Sequence, residues 1–408
     1  MARREPLGVW LYGHRVAELT SNRPGEVICR YTEEALDTWP RNTPLLSCSL
    51  PLGSRPQKAS LYFRGMLPEG QHLQALAAEA NVATYDTFGL LARFGRDVAG
   101  AAVIAASDPG PRPGGVQPYN GEGLADEVAG LADRPLAVYA DSELSIAGLQ
   151  NKMLLVDLGD GWGRPVGGRP STHILKLEDR RYPGLVTMEA ACLRLARAVG
   201  LTTVDASVET FAGLDCLIVS RFDRVASTDG IGRVHQEDSC QALGRDPEAA
   251  RGRGKYEQAG GPRLVEIARL FDRFADVPLT ELARLVAATT FNVVVGNADA
   301  HGKNVSLLHV QPGVVALAPL YDTVPTALWP KLPKLAAMKV NGHARLAGIT
   351  IDDIVGEAGA WPLGAAPATE AATSTAEGVL AALREIEVPE ELGRLVENRC
   401  ASFLRGSR

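Results

Sequence analysis

Several features are scarce in this sequence, and each scarcity removes a class of function. Six cysteines (Cys29, Cys48, Cys192, Cys216, Cys240 and Cys400) are scattered over 408 residues with no Cys-x-x-Cys and no metal-ligand spacing. That leaves no support for a disulfide framework or a zinc site, and buried thiols in a reducing compartment are the expectation. No apolar run approaches the length of a membrane span, and the stretch after Met1-Ala2-Arg3-Arg4-Glu5-Pro6 is too short for a signal-peptide core. A cytoplasmic chain without a membrane partner is expected. Positive charge is not in excess either: the formal net charge is -6, which argues against a broad basic field for nucleic acid. No internal repeat is visible. What is present is 46% hydrophobic residues, normal for a globular protein, over a length with room for two or three domains.

The most informative stretch is Gly296-Asn297-Ala298-Asp299-Ala300-His301-Gly302-Lys303-Asn304-Val305. An Asp followed five positions later by an Asn has the spacing of a phosphoryl-transfer catalytic loop. There, a carboxylate orients the attacking hydroxyl and Mg²⁺ is held against the phosphates. Asp299 suits the first task and Asn304 the second. Two apolar runs, 305–310 and 314–320, flank Gln311-Pro312-Gly313 and read as a hairpin. A turn centred near Gly313 sets positions whose numbers sum to about 626 opposite one another, bringing Asn304 across from Asp322 at about 5 Å between backbones. An Asn and an Asp suffice for Mg²⁺, which takes its other ligands from water and phosphate. Each feature alone is also ordinary turn chemistry. The apolar, helical run 282–295 leading into the loop is what favours catalysis, and His301 has the structural alternative of bracing the backbone.

Along the chain, residues 9–19 read as two short strands around a Gly-containing turn, opening a mixed unit that ends near Ala106. The expected divisions are a β-rich amino-terminal subdomain 1–107, a Pro/Gly-rich linker 108–140, a nucleotide-binding lobe 141–235 and a helical catalytic lobe 236–408. Within the third, 153–158 and 173–177 read as strands and 187–200 as a helix with a Gly stop. Strand, strand, helix is the layout of a kinase nucleotide lobe, which nominates Lys176 for the phosphates and Glu189 as its helix partner. Both also read as solvated surface charges. Residues 217–223 look like a strand leaving that lobe, its backbone available to an adenine edge and Asp223 to a ribose hydroxyl. Arg221 and Asp223 equally read as an exposed ion pair worth little. Helical stretches follow at 263–275, 279–295, 370–386 and 389–405. Residues 245–255 read as a mobile solvated loop with room for substrate docking, and 364–375 as small-residue filler.

Taken in order, a set of phrases resembles one family over nearly the whole chain. They are Gly95-Arg96-Asp97 with Gly100-Ala101, Ser145-Ile146-Ala147-Gly148-Leu149-Gln150-Asn151-Lys152, Thr172-His173-Ile174-Leu175-Lys176-Leu177, Arg221-Phe222-Asp223, Gln236-Glu237-Asp238-Ser239-Cys240-Gln241, Lys255-Tyr256-Glu257 with Gly260-Gly261-Pro262, Asp299-Ala300-His301-Gly302-Lys303-Asn304, and Tyr321-Asp322. The family is the HipA-type serine/threonine kinases, toxins of bacterial toxin-antitoxin pairs. The resemblance implies an α+β, two-lobed protein-kinase-like fold with a mixed β-rich amino-terminal subdomain and a mainly helical carboxy-terminal lobe.

It also implies ATP and Mg²⁺, with Asp299 as catalytic base, Asn304 and Asp322 on the metal, Lys176 on a phosphate, and Ser220, Phe222 and Asp223 around adenine and ribose. His301 joins the nucleotide-binding set. Ile146, Ala147, Gly148, Leu149 and Lys152 would offer loop contacts to phosphate through oriented backbone amides, although that loop has a single Gly and no G-x-G-x-x-G. Ser145 occupies the position where relatives self-phosphorylate, and a dianion there would displace the loop from its ATP-binding shape. The implied partners are a HipB-like helix-turn-helix antitoxin and a protein substrate, an aminoacyl-tRNA synthetase in some relatives, with DNA reached only through the antitoxin. The alternatives are a small-molecule kinase of the aminoglycoside-phosphotransferase sort, which does not need the amino-terminal unit, and a non-catalytic kinase-like binding module.

Overall fold

A computed structural model describes residues 4–106, 114–131, 151–227 and 230–406. Its contacts divide the chain into two compact units. The first is Met1–Leu177 with Glu209–Glu237 and His309–Gly313; the second is Glu178–Val208 with Asp238–Leu308 and Val314–Arg408. This division runs through the expected lobe 141–235, since most of its strand residues fall in the first unit and the helix Leu185–Ala198 in the second. The fold class is α+β. Among the described residues no helix is long and apolar enough to cross a membrane.

The first unit opens on a hairpin of β1 (Leu7–Leu11) and β2 (His14–Thr20). Its two turn residues, Tyr12 and Gly13, have φ of 52° and 86°, the left-handed pair that lets a two-residue turn follow the twist of its strands. With β3 (Ile28–Tyr31), β4 (Gln57–Lys58) and β5 (Val103–Ala106) it forms a sheet of order β4-β3-β2-β1-β5. Alternate residues Val9, Leu11, Val16 and Ile104 turn inward onto Phe63, Leu91 and Phe94 from short helices. The second sheet comprises β6 (Gly115–Pro118), β7 (Lys152–Asp157), β8 (Trp162–Val166), β9 (His173–Leu177), β10 (Ala206–Phe211) and β11 (Leu214–Ser220), in the order β10-β11-β9-β7-β8-β6. Met153, Leu155, Leu175, Leu177, Cys216 and Ile218 cover one face of it, with Leu124 and Val128 packed beneath.

The second unit is built around the helix Pro278–Val295, which is apolar on most sides because it is central. Pro at its first turn needs no hydrogen-bond partner for a missing N–H, and Gly296 ends it. Helices Leu264–Phe274, Ile351–Ala358, Ala365–Ala382 and Glu390–Leu404 pack against it. Residues 364–375, expected as filler, form the first half of the helix Ala365–Ala382, where Ala368, Ala372 and Ala376 are fully buried. Alanine has the highest helix propensity and lets helices approach closely, so the small residues are packing surface. A hairpin of Leu335–Val340 and His343–Arg345 was not visible in the sequence pattern.

The first unit holds an interior cluster of charge. Asp97 is completely buried and receives Arg224 Nη2 at 2.8 Å and Arg233 Nη1 at 3.0 Å on Oδ1, and the Ser171 N–H at 3.0 Å on Oδ2. Asp223 accepts Arg221 Nε at 2.9 Å on Oδ1, and Arg221 Nη2 at 2.8 Å with the Gly100 N–H at 2.6 Å on Oδ2. Burial pushes both carboxyls up, but Arg224 and Arg221 outweigh it, with Arg233 adding to them at Asp97, and both end below the ordinary value of 3.8. Their stabilising contribution is therefore complete above 3.8 and lost as pH falls through the lowered folded values. Replacing Asp97 by Asn keeps the shape but takes from Arg233 its carboxylate contact and leaves Arg221 and Arg224 to share Asp223. We expect a loss of about 3–5 kcal/mol in urea denaturation at neutral pH, and a smaller difference between the two proteins below pH 3.8.

Candidate functional site

The Asp299 loop lies wholly in the second unit. Gly296, at φ 80°, terminates the central helix: its N–H reaches Val293 O at 3.2 Å and the next N–H, Asn297, reaches Asn292 O at 2.9 Å. This paired closure uses two otherwise orphaned carbonyls and reverses the chain, which is why glycine stands there. Asn297 then donates from Nδ2 to Asn292 Oδ1 at 2.8 Å and accepts the Asp299 N–H on Oδ1 at 3.0 Å. The Asp299 carbonyl accepts the His301 N–H at 2.8 Å and Asn304 Nδ2 at 3.0 Å. Asp299 and Asn304 are half-buried, at the edge of a loop that these hydrogen bonds hold.

The loop is also held from outside. Lys255 O accepts the Gly302 N–H at 3.1 Å, and Tyr256 donates its hydroxyl to Asp299 Oδ1 at 2.7 Å. The Tyr256 ring meets the His301 ring edge-on, with centroids 5.2 Å apart. Lys303 is buried and donates to Asp238 Oδ2 at 2.9 Å, while Asp238 Oδ1 caps the helix Ser239–Ala242 through the Gln241 N–H at 2.9 Å. Tyr256, Asn297, Lys303 and Asp238 had no assigned role in the sequence reading. Tyr256 and Asp238 stood inside phrases that resembled the family, yet no spacing rule connects them to Asp299. Residues 245–255 are not a featureless loop: the N–H groups of Gly252, Arg253 and Gly254 close turns onto Glu248 and Ala249, and Lys255 is buried.

The hairpin after the loop exists, as Ser306–Gln311 and Val314–Leu317, but its register corrects the expected one. The turn is Pro312-Gly313, so its centre falls earlier than Gly313, and the Ala318 N–H bonds Ser306 O at 2.9 Å. Asn304 belongs to a short 3-10 turn, Gly302–Asn304, so it is not a ladder residue opposite Asp322. What ties the two segments together is Tyr321, adjacent to Asp322. Its hydroxyl bonds Lys303 O at 2.6 Å and Ser306 Oγ at 2.6 Å. Asp322 itself is half-buried with φ 53°, a left-handed conformation uncommon for a residue with a side chain. The donor set fits a hard cation. Asn304 spends its amide nitrogen on Asp299 O and its oxygen accepts nothing among the described residues, so Asn304 and Asp322 can supply two oxygen ligands.

In the first unit, β7 and β9 pair so that Lys152 stands directly opposite Lys176, both buried. Ser220 ends β11 opposite His173, and Phe222 follows in a turn. Asp223 departs from the expected setting: it is buried, with Arg221, Arg224 and the Gly100 N–H on its oxygens, so it faces the interior and not a ribose. It is not an exposed ion pair either, since Arg221 and Asp223 are 2% and 3% exposed at the side chain. Glu189 is buried in the helix Leu185–Ala198 of the second unit. Ser145, Ile146, Ala147, Gly148 and Leu149 lie outside the described residues.

Comparison with known proteins gives two family matches: the HipA N-terminal domain over residues 7–105 and the HipA-like C-terminal domain over 144–386. A putative kinase, Y4mE, of Sinorhizobium fredii is 37% identical over 394 residues, covering 93% of this chain and 92% of its own. The serine/threonine-protein kinase toxin HipA of Shewanella oneidensis is 29% identical over 318 residues, covering 74% and 72%. Among solved structures, the HipA–HipB–operator DNA complex of Shewanella oneidensis MR-1 contains a chain that matches with a TM-score of 0.81 at 24% identity, covering 98% of this chain and 96% of that one. The likeness confirms the fold.

Gly302 tests how tightly the loop is set. A Cβ there would lie 2.5 Å from Pro262 Cγ and 3.0 Å from Cys240 Sγ. Gly302→Ala should therefore cost about 1–3 kcal/mol of stability, read as a lowered urea midpoint.

Proposed function

This chain belongs to the HipA family, and we propose that it is an ATP- and Mg²⁺-dependent serine/threonine protein kinase, the toxin of a toxin-antitoxin pair. The observation that carries the reading is the half-buried Asp299 carboxylate on a loop tied by hydrogen bonds at each turn, with the Asn304 side chain bonded to the carbonyl of that same aspartate. Asp299 would accept the proton of an attacking hydroxyl. Asn304 and Asp322 would hold Mg²⁺, which when bound offsets the negative charge of the phosphates. Lys152 and Lys176 would meet phosphate oxygens, and Ser220 and Phe222 would border the nucleoside. Ile146, Ala147, Gly148 and Leu149 would offer backbone amides. His301 serves mainly to brace Tyr256 and the loop backbone.

The phosphoacceptors proposed are a hydroxyl on a cellular protein, an aminoacyl-tRNA synthetase being one class, and Ser145 of the chain itself. A HipB-like helix-turn-helix antitoxin is the proposed partner, supported by the complex in which the structural relative was solved. The net charge of -6 favours DNA contact only through that partner.

Purified full-length protein given labelled ATP and Mg²⁺ should label itself on Ser145. Asp299→Ala should reduce labelling by about 10²-fold or more while leaving the melting temperature unchanged. Labelling that survives would remove Asp299 from the chemistry. Fast phosphorylation of sugars or antibiotics with no labelled protein would point instead to a small-molecule kinase, and absence of ATP affinity to a binding module.

A further inference from the structure

We infer that Tyr256 is a positioning residue for phosphoryl transfer, its hydroxyl holding the Asp299 carboxylate in the orientation from which it meets an acceptor hydroxyl. This rests on the kinase reading above and adds a residue to it.

The argument starts from what the loop leaves undetermined. The N–H of Asp299 is bound by Asn297 Oδ1 at 3.0 Å, and its carbonyl by the His301 N–H at 2.8 Å and Asn304 Nδ2 at 3.0 Å. These bonds fix the main chain. They do not fix the side-chain torsions, and the terminal torsion of an aspartate is intrinsically broad. A carboxylate that must lie within about 3 Å of a reacting hydroxyl loses rate if it samples other orientations. The Tyr256 hydroxyl, donating to Oδ1 at 2.7 Å, supplies a constraint on that side chain. The contact is a charge-assisted hydrogen bond, among the stronger kinds.

Tyr256 is itself fixed. Its N–H donates to Arg253 O at 2.9 Å, and its carbonyl accepts the N–H groups of Ala259 and Gly261, each at 3.0 Å. The preceding carbonyl, Lys255, holds Gly302 at 3.1 Å, so the tyrosine and the loop move as one piece. The ring is braced on His301 at an interplanar angle of 87°. A carboxylate has about four acceptor positions, so the Tyr256 donor by itself does not exclude a substrate hydroxyl.

The test compares wild type with Tyr256→Phe, which keeps the ring on His301 and removes only the donor. The probe is self-labelling of the full-length chain with labelled ATP and Mg²⁺. The expected result is a fall of roughly 10- to 100-fold in the labelling rate at saturating ATP, with the half-saturating ATP concentration unchanged. Amide hydrogen exchange over residues 297–304 should be the same in both proteins, because the main-chain bonds do not involve Tyr256. An unchanged rate would reduce Tyr256 to packing. A faster rate would make the hydroxyl a block on the carboxylate, and label found on Tyr256 would make it an acceptor; either overturns the inference. Loss of exchange protection in 297–304 would assign a purely structural role and overturn it too. A wild type that labels nothing would refute the kinase reading itself, and this inference with it, before any variant is compared.

Discussion

The carbonyl oxygen of Asp299 is the point on which the geometry of its loop depends. It receives two donors, one from the backbone of His301 and one from the Asn304 side chain. Because the second donor is the residue five positions on, the spacing visible in the sequence is a hydrogen-bonded ring. The ring determines that the amide nitrogen of Asn304 points inward and its oxygen outward. It works only if the chain enters in the correct direction, which the left-handed Gly296 arranges at the end of a buried helix. The bonds at Asn297, Asp299, His301, Gly302 and Asn304 hold so irregular a segment in place.

The first unit buries charge in two places. Around Asp97 and Asp223, three arginines and two carboxylates close on each other in the interior, with backbone groups filling the remaining positions. Such a cluster adds little over apolar packing, yet losing one member is costly, so it specifies one arrangement of Gly95-Arg96-Asp97 against Arg221-Phe222-Asp223. Lys152 and Lys176 stand opposite one another across a strand pair, both buried.

Much of this was readable in the sequence. The Asp299 to Asn304 spacing, the helix before it and the hairpin after it all follow from periodicity and turn residues. The register of the hairpin was not readable to the residue, because Pro312 and Gly313 share the turn and Asn304 leaves the strand for a 3-10 turn before pairing can reach it. The role of Asp223 was misread because a short pattern cannot show that Arg224 and Gly100 N–H lie on the same carboxylate from different directions. The Ala-rich segment near 368 gave no period, since alanine occupies both faces of its helix, and so its burial was invisible. Tyr256 was missed for a related reason: it is 43 residues from Asp299, and such a contact is a product of the fold.

Asp322 stands in the left-handed backbone region with φ 53°. A residue with a Cβ is about 1 kcal/mol worse there than glycine, although Asp tolerates it better than most. Folding alone would therefore favour dispensing with the side chain at the position where the proposed metal ligand stands. Directed evolution that rewarded heat resistance alone would have a cheap route at this codon, and the sturdier protein it produced would have given up a carboxylate to become so.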